Sequence, residues 1–570
     1  MKDEKDVALL QDFALYKRNK NHVLVDKSHF IPKLLPRERV VLLRPRRFGK
    51  SLTLSMLSYF FYGATDLFRD TALFNMKLKQ GKFCWCPSDP KMHNFPPRPV
   101  IHLDFSGFVA PDAASFQNNL IARLHAIGVE EGAGKLDGST AADVLSSLVR
   151  QLASQRLNHW GKVVILIDEY DNPLNHVASS KENFNAITAV YKTFFTQVKI
   201  LDKFIDFAFV TGITSYGLAG VYSGANNFVD ATFDSKFNSI CGFTEQETVQ
   251  LICEARGTPP SESILKALEA KYNGYSWRTE DDDVNGLRET VYNPFLIGRY
   301  CCTGELNSFW VATSSESLMT AFPVVASVQF PINVSFSSLT NPRLSPINLS
   351  RDSDDEEVGR FLLEAGYVTI KSAKNATLLL DHPNQEIRDF IKSDFLNTFF
   401  KASTGTTKFL DAQNKILSGN GDVVALISYF NDGIESFSYH HAQILQKEST
   451  WVFAIRQLLW SMGAEFGVEI CNLNGRSDLI LFIGDTQYVL EFKAVEANGD
   501  DTKLHRVAVE ALNQVEVKKY SMNDLARNKK DTIKQTVKIA LVVDTHSSKR
   551  QFALMMSKTQ AGVFESKRFT

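Results

Sequence analysis

Val40-Val41-Leu42-Leu43-Arg44-Pro45-Arg46-Arg47-Phe48-Gly49-Lys50-Ser51-Leu52-Thr53-Leu54-Ser55-Met56-Leu57 passes from an apolar run, through a basic turn, into a helical pattern. A short apolar run bounded by turn residues reads as a buried strand, and the apolar spacing after it reads as a helix. The turn matches G-x-x-x-x-G-K-[ST] at every fixed position but the first, where Arg44 stands for glycine. Gly49 lets the backbone pass close to an anion, and N–H groups at the helix start point toward it. In such loops Lys50 reaches the β- and γ-phosphates and the Ser51 hydroxyl ligates Mg²⁺. Arg44, Arg46 and Arg47 add positive charge that offsets the missing glycine. A basic turn that merely caps a helix is the simpler alternative.

Outward from this loop, Val163-Val164-Ile165-Leu166-Ile167 is a β-branched run that ends in Asp168-Glu169. Such runs are typical of parallel strands buried on both faces. Asp168 is a candidate Mg²⁺ partner and Glu169 a candidate general base for the attacking water. A strand ending in solvated acids is the ordinary reading of the same residues. Phe209-Val210-Thr211-Gly212-Ile213-Thr214 brings hydroxyls to another strand end, with Thr211 or Thr214 a candidate sensor of the γ-phosphate. Val100–Phe105 and Phe207–Val210 also read as strands. Strands alternating with helical stretches predict a parallel α/β sheet domain over residues 15–240.

Residues 241–430 read as a mostly helical middle region. Thr244-Glu245-Gln246-Glu247 has the form of a capped helix start, and Tyr367-Val368-Thr369-Ile370 is a strand-like stretch. An exposed acidic linker is expected near 341–357.

Residues 435–570 alternate strands and helices. Gly475-Arg476-Ser477-Asp478 begins one strand, and Gln487-Tyr488-Val489-Leu490-Glu491-Phe492-Lys493 forms the next, with a turn at Gly484-Asp485. Period two puts Glu491 and Lys493 on one face. Asp478 comes near that face from the partner strand. Two carboxylates then make an Mg²⁺ site, and Lys493 orients a water or stabilises developing phosphorane charge. Glu448, or in competition Glu469, adds a carboxylate. Gln514 lies on a following helix, toward the rim of the site. An exposed hairpin with a surface Glu–Lys pair is the alternative.

Composition narrows the classes. The 570 residues are 44% hydrophobic and 22% charged, which excludes a mostly disordered or collagen-like chain. Lys and Arg number 63 against 64 Asp and Glu, a net charge of −1, so any nucleic-acid contact uses local basic patches. Seven cysteines lack zinc-like spacing and read as reduced thiols. The charged start Met1-Lys2-Asp3-Glu4-Lys5-Asp6 predicts no secretory signal, and no apolar run is long enough to predict a membrane span. An intracellular protein, cytoplasmic or nuclear, is expected.

Val23-Leu24-Val25-Asp26-Lys27-Ser28, the Arg-Pro-Arg-Arg-Phe-Gly-Lys-Ser loop, Leu166–Asp171 and Thr211-Gly212-Ile213 together resemble the AAA-ATPase-like family. Its members often carry a C-terminal PD-(D/E)XK nuclease domain, which Gly475–Asp478, Glu491–Lys493 and Ala511–Tyr520 resemble. The loop arginine is itself similar to the family form. The resemblance implies a P-loop NTPase sheet, a helical middle and a restriction-endonuclease-like α/β domain. It implies ATP and Mg²⁺ as cofactors, with Gly49, Lys50 and Ser51 for nucleotide and Asp168 and Glu169 for hydrolysis. For the nuclease it implies Asp478, Glu491 and Lys493, with Gln514 in the supporting helix. Nucleic acid is the expected partner, DNA ahead of RNA, and a homo-oligomer is compatible with the architecture. The rival is a nucleotide switch or effector-like protein whose C-terminal domain binds but does not cut.

Overall fold

The structure is a computed structural model. It describes residues 10–280 apart from 20, 81–82, 87, 90, 92–96, 156–160, 179, 216–223 and 225. It further describes 288–309, 330–340, 354–399, 427, 430–431, 455, 459, 465–472, 475–483, 486–517, 535–544, 552, 554–559 and 564–568. The chain divides into two compact units, one of Met1–Ser314 with Val328–Arg388, the other of Ser315–Ser327 with Asp389–Thr570.

The first unit is built on a five-stranded parallel sheet of β1 (Arg39–Leu43), β2 (Val100–Asp104), β3 (Val163–Asp168), β4 (Ile205–Gly212) and β5 (Val229–Asp230). The strand order is β2-β3-β4-β1-β5. β1, β3 and β4 are buried along their whole length, as the apolar runs within them predict. Alternate residues serve opposite faces. Val41, Leu43, Ile165, Ile167 and Val210 join a core with the helices α2 (Ala113–Glu130), α3 (Ala141–Ser154) and α4 (Lys181–Ile200). The other face meets the helix α1 (Lys50–Phe61), where the Phe61 ring lies 5.3 Å from that of Phe207. Helices thus cover both faces, which a buried parallel sheet requires. A buried ion pair, Arg98 to Asp206 at 2.7 Å, ties the approach to β2 to the start of β4.

The middle region is less helical than its sequence suggests. The expected capped helix forms over Glu245–Arg256, with Thr244 and Glu247 bonded reciprocally. After the helices Glu262–Tyr272 and Pro294–Thr303, however, comes an antiparallel sheet of β6 (Ile332–Ser335), β7 (Thr369–Lys374) and β8 (Thr377–Asp381). The strand-like stretch Tyr367–Ile370 enters β7. Its hairpin turns at Asn375 and Ala376, both left-handed at φ 52° and 60°. A two-residue turn of that hand fits strand twist, but alanine gives no sequence signal for it. The expected acidic linker is also corrected at its end. Asp354 caps the helix α5 (Asp355–Ala365), and Asp355 and Glu356 fill its first turn, where carboxylates suit the helix dipole. Residues 341–353 of that linker lie outside the described residues.

The second unit carries a six-stranded sheet of β9 (Glu465–Asn472), β10 (Gly475–Ile483), β11 (Thr486–Val495), β12 (Gln535–Asp544), β13 (Leu554–Thr559) and β14 (Phe564–Arg568), paired in chain order. Only β11 and β12 pair in parallel; the helix α6 (Asp501–Val517) connects them. Leu504, Ala508, Ala511 and Leu512 of α6 pack on Ala540 and Val542 of β12. Asp544, at the end of β12, accepts from the N–H groups of Ala497 (3.0 Å) and Gly499 (2.8 Å), which fixes the chain leaving β11.

Candidate functional site

At the carboxyl end of the parallel sheet, the loop between β1 and α1 turns through left-handed backbone at Arg47 (φ 66°) and Gly49 (φ 86°). Gly49 is the N-cap of α1, so no side chain covers the first turn's N–H groups. Lys50 is buried and its ammonium donates to the Pro45 carbonyl at 3.0 Å. Burial pulls its pKa down, opposed by the carboxylates of Asp168 and Asp171. Ser51, one residue on, lines the same cavity as Lys50. β4 separates β1 from β3 in the sheet, so Lys50 and Asp168 interact above the strand ends.

Burial pushes the Asp168 carboxyl up, and the Ser51 hydroxyl and the Lys50 charge resist that shift. Glu169 is half-buried and left-handed at φ 47°. Burial first, then the Asp168 charge, pushes its carboxyl above the ordinary range. Asp104 is in register with Asp168 on the neighbouring strand and adds to both effects.

Of these groups, Lys50, Ser51, Glu169 and Asp171 border a cavity of about 540 Å³. Arg46, Arg47, Lys50, Ser51 and Glu169 line its polar part, while Val23, Val25, Phe243, Leu251 and Phe295 supply an apolar part. Arg46 and Arg47 are exposed, and Arg47 stacks 5.2 Å over the Phe295 ring. One wall charged and donor-rich, the other apolar, is what a nucleotide demands of its site. The donor set also fits Mg²⁺, which takes few protein oxygens and completes its shell with water and phosphate. Among the described residues no group of three or more His, Cys, Asp or Glu could hold a metal ion alone.

Two expectations are corrected here. Arg44 adds no charge to the loop's phosphate side. It is buried and donates to the carbonyls of Leu43 (2.7 Å), Thr232 (2.9 Å) and Phe237 (2.8 Å). Thr211 does not line the cavity, because its buried hydroxyl donates to Leu42 across the strands at 2.6 Å. Thr214 is likewise engaged, donating from its hydroxyl to Asp171 at 2.7 Å. Sequence reasoning gave that aspartate no role. Asp171 also accepts the N–H of Thr214 at 2.9 Å and so staples the ends of β3 and β4. Gly212 is required at this crossing, since a Cβ there would collide with Asp171 and the Tyr170 ring.

In the second unit Glu491 lies on β11 with its side chain 2% exposed, and Lys493 stands 3.3 Å from its Oε1 at 26% exposure. The expected shared face is therefore present, and a solvated surface pair is excluded. Leu479 pairs with Leu490, so Asp478 and Glu491 are the next residues along that ladder. The Asp478 and Glu469 side chains lie outside the described residues, as do Glu448 and the turn Gly484-Asp485. Gln514 is half-buried on α6.

Two family models match this chain. Residues 10–222 match the family described as predicted AAA-ATPase, and residues 446–552 match the PD-(D/E)XK nuclease superfamily. The chain carries an AAA-ATPase-like domain and a PD-(D/E)XK nuclease superfamily domain. The AAA-ATPase-like match contains the phosphate loop, Asp168 and Glu169, and the nuclease match contains Asp478, Glu491 and Lys493. A relative over nearly the whole length is the uncharacterized protein in the vnfD 5′ region of Azotobacter chroococcum mcd 1. It is 24% identical over 526 residues, covering 91% of this chain and 93% of the relative. Among the described residues no helix is long and apolar enough to cross a membrane.

Proposed function

We propose that the AAA-ATPase-like domain binds and hydrolyses ATP with Mg²⁺, and that the nuclease domain cuts nucleic-acid phosphodiesters with a divalent metal. The observation that carries the first half is that Lys50, Ser51 and Glu169 line one cavity that also has an apolar wall. Lys50, freed from the Pro45 carbonyl, would take the β- and γ-phosphates, joined by Arg46 and Arg47 at the rim. Ser51 and Asp168 would hold Mg²⁺, which neutralises phosphate charge. Glu169, raised toward neutrality, is suited to take the proton of the attacking water as its oxygen bonds the γ-phosphorus. The bond from that phosphorus to the bridging oxygen breaks and ADP leaves.

The buried Glu491 beside Lys493 supports the second half. Glu491 and Asp478, with Glu448 as a further donor, would bind the metal, and Lys493 would steady the water or the developing charge. Gln514 would support the site from its helix. DNA is proposed ahead of RNA as substrate. The test is cleavage of both nucleic acids with Mg²⁺ or Mn²⁺, with and without ATP, by the parental chain and by Lys493→Ala. Divalent-dependent cutting that Lys493→Ala loses supports the nuclease. ATP binding with no cutting under any condition supports a nucleotide switch instead.

A further inference from the structure

Two stretches of the middle region stand apart in the sequence, Tyr272-Asn273-Gly274-Tyr275 and Tyr292-Asn293-Pro294, and the proposed chemistry uses neither. The structure brings the first against the back of the phosphate loop. The Phe48 ring, between Arg47 and Gly49, lies edge-on to Tyr275 (4.8 Å, 77°) and to Trp277 (5.4 Å, 89°). Arg44, at the loop's first position, stacks 4.2 Å over Trp277. All four side chains are at most 4% exposed. Tyr275 is paired through its backbone with Val291, and Ser276 is bonded on both sides to Thr369 of β7. Trp277 donates its N–H to Asn238 at 2.9 Å.

A loop without its first glycine needs another source of shape. Here Arg47 is left-handed without being glycine, a conformation that persists only where surroundings over-determine it. Phe48 and Arg44 flank that residue closely in sequence, and both are anchored inward. Stacking of a guanidinium on indole is strongest when desolvated, as it is here.

We propose that Tyr275-Ser276-Trp277 is a brace that sets the phosphate loop for nucleotide, with Arg44 and Phe48 as the loop's two anchors. Tyr275 and Trp277 are thus positioning residues for the nucleotide site, acting through the loop backbone. This inference rests on the ATP reading above.

The experiment uses the full chain and MgATP titration by calorimetry, with circular dichroism to follow the fold. Arg44→Gly restores the common loop pattern, yet it should weaken MgATP binding about tenfold or more. Trp277→Ala should do the same, while Trp277→Phe, which keeps a ring against Phe48 and Arg44, should stay within about threefold. MgATP should also change an emission component that Trp277→Phe abolishes, and Lys50→Ala should lose the change. Arg44→Gly binding as tightly as the parental chain would overturn the brace. So would equal binding by Trp277→Ala and Trp277→Phe. If Arg44→Gly fails to fold, the Trp277 pair and the emission signal still decide. No MgATP binding by the parental chain would instead bring down the nucleotide reading itself.

Discussion

Lys493 and Glu491 share one face of β11 at 3.3 Å, yet the glutamate side chain is nearly inaccessible while the lysine side chain is about a quarter exposed. Burying an ionised carboxylate costs several kcal/mol unless it is paired or takes a cation. Glu491→Gln keeps the shape and removes the charge, and Lys493 can then turn to solvent. Divalent-dependent cleavage should fall about 100-fold or more, while the unfolding midpoint stays level or rises. Cutting at the parental rate by this variant would remove Glu491 from the site.

Lys50 is held in a place whose burial disfavours its charge, relieved by the carboxylates of Asp168 and Asp171 and by the Pro45 carbonyl. Lys50→Ala should therefore leave the apo protein about as stable as the parent. A ligand at 100 times its Kd stabilises a protein by about 2.7 kcal/mol, and that increment should vanish from the variant in a thermal-shift series with MgATP. A ligand-induced shift equal to the parental one would refute the phosphate-loop assignment.

Glu169 is half-buried and lines the cavity, whereas Asp168 beside it is buried behind the lining. Binding and turnover should separate there. Glu169→Gln should bind MgATP as the parent does and hydrolyse it roughly 10²–10⁴-fold more slowly. Phosphate release within a few-fold of the parent would assign the base elsewhere.

The sheet and the phosphate loop were legible because apolar runs and a glycine-lysine-serine turn are local signals. Glu491 and Lys493 were legible for the same reason, since period two on one strand needs no partner. Arg44 was misread, because its role depends on Trp277 and on carbonyls far along the chain. Thr211 was misread likewise: its acceptor, Leu42, belongs to another strand. Asp171 belongs to a stretch that resembles the family, but only the meeting of two strand ends reveals its role. The hairpin at Asn375-Ala376 was hidden by an alanine where glycine would have announced the turn.

His382 offers a pH test of the middle region. It is buried, its Nδ1 lies 3.3 Å from the Tyr367 carbonyl, and its ring is 4.3 Å from Phe330. Burial lowers its pKa from 6.5 to about 4; Asp381 opposes the shift, and the Arg388 and Lys371 charges add to it. The unfolded chain therefore takes up the proton first. Stability is full above the unfolded value, falls as pH drops through 6.5, and stops falling near pH 4. The displacement corresponds to about 3 kcal/mol at most. His382→Gln cannot take up that proton. Between about pH 7.5 and pH 5 its unfolding midpoint should drop less than the parental one. Parallel midpoint curves for the two proteins would mean that His382 does not carry this acid sensitivity.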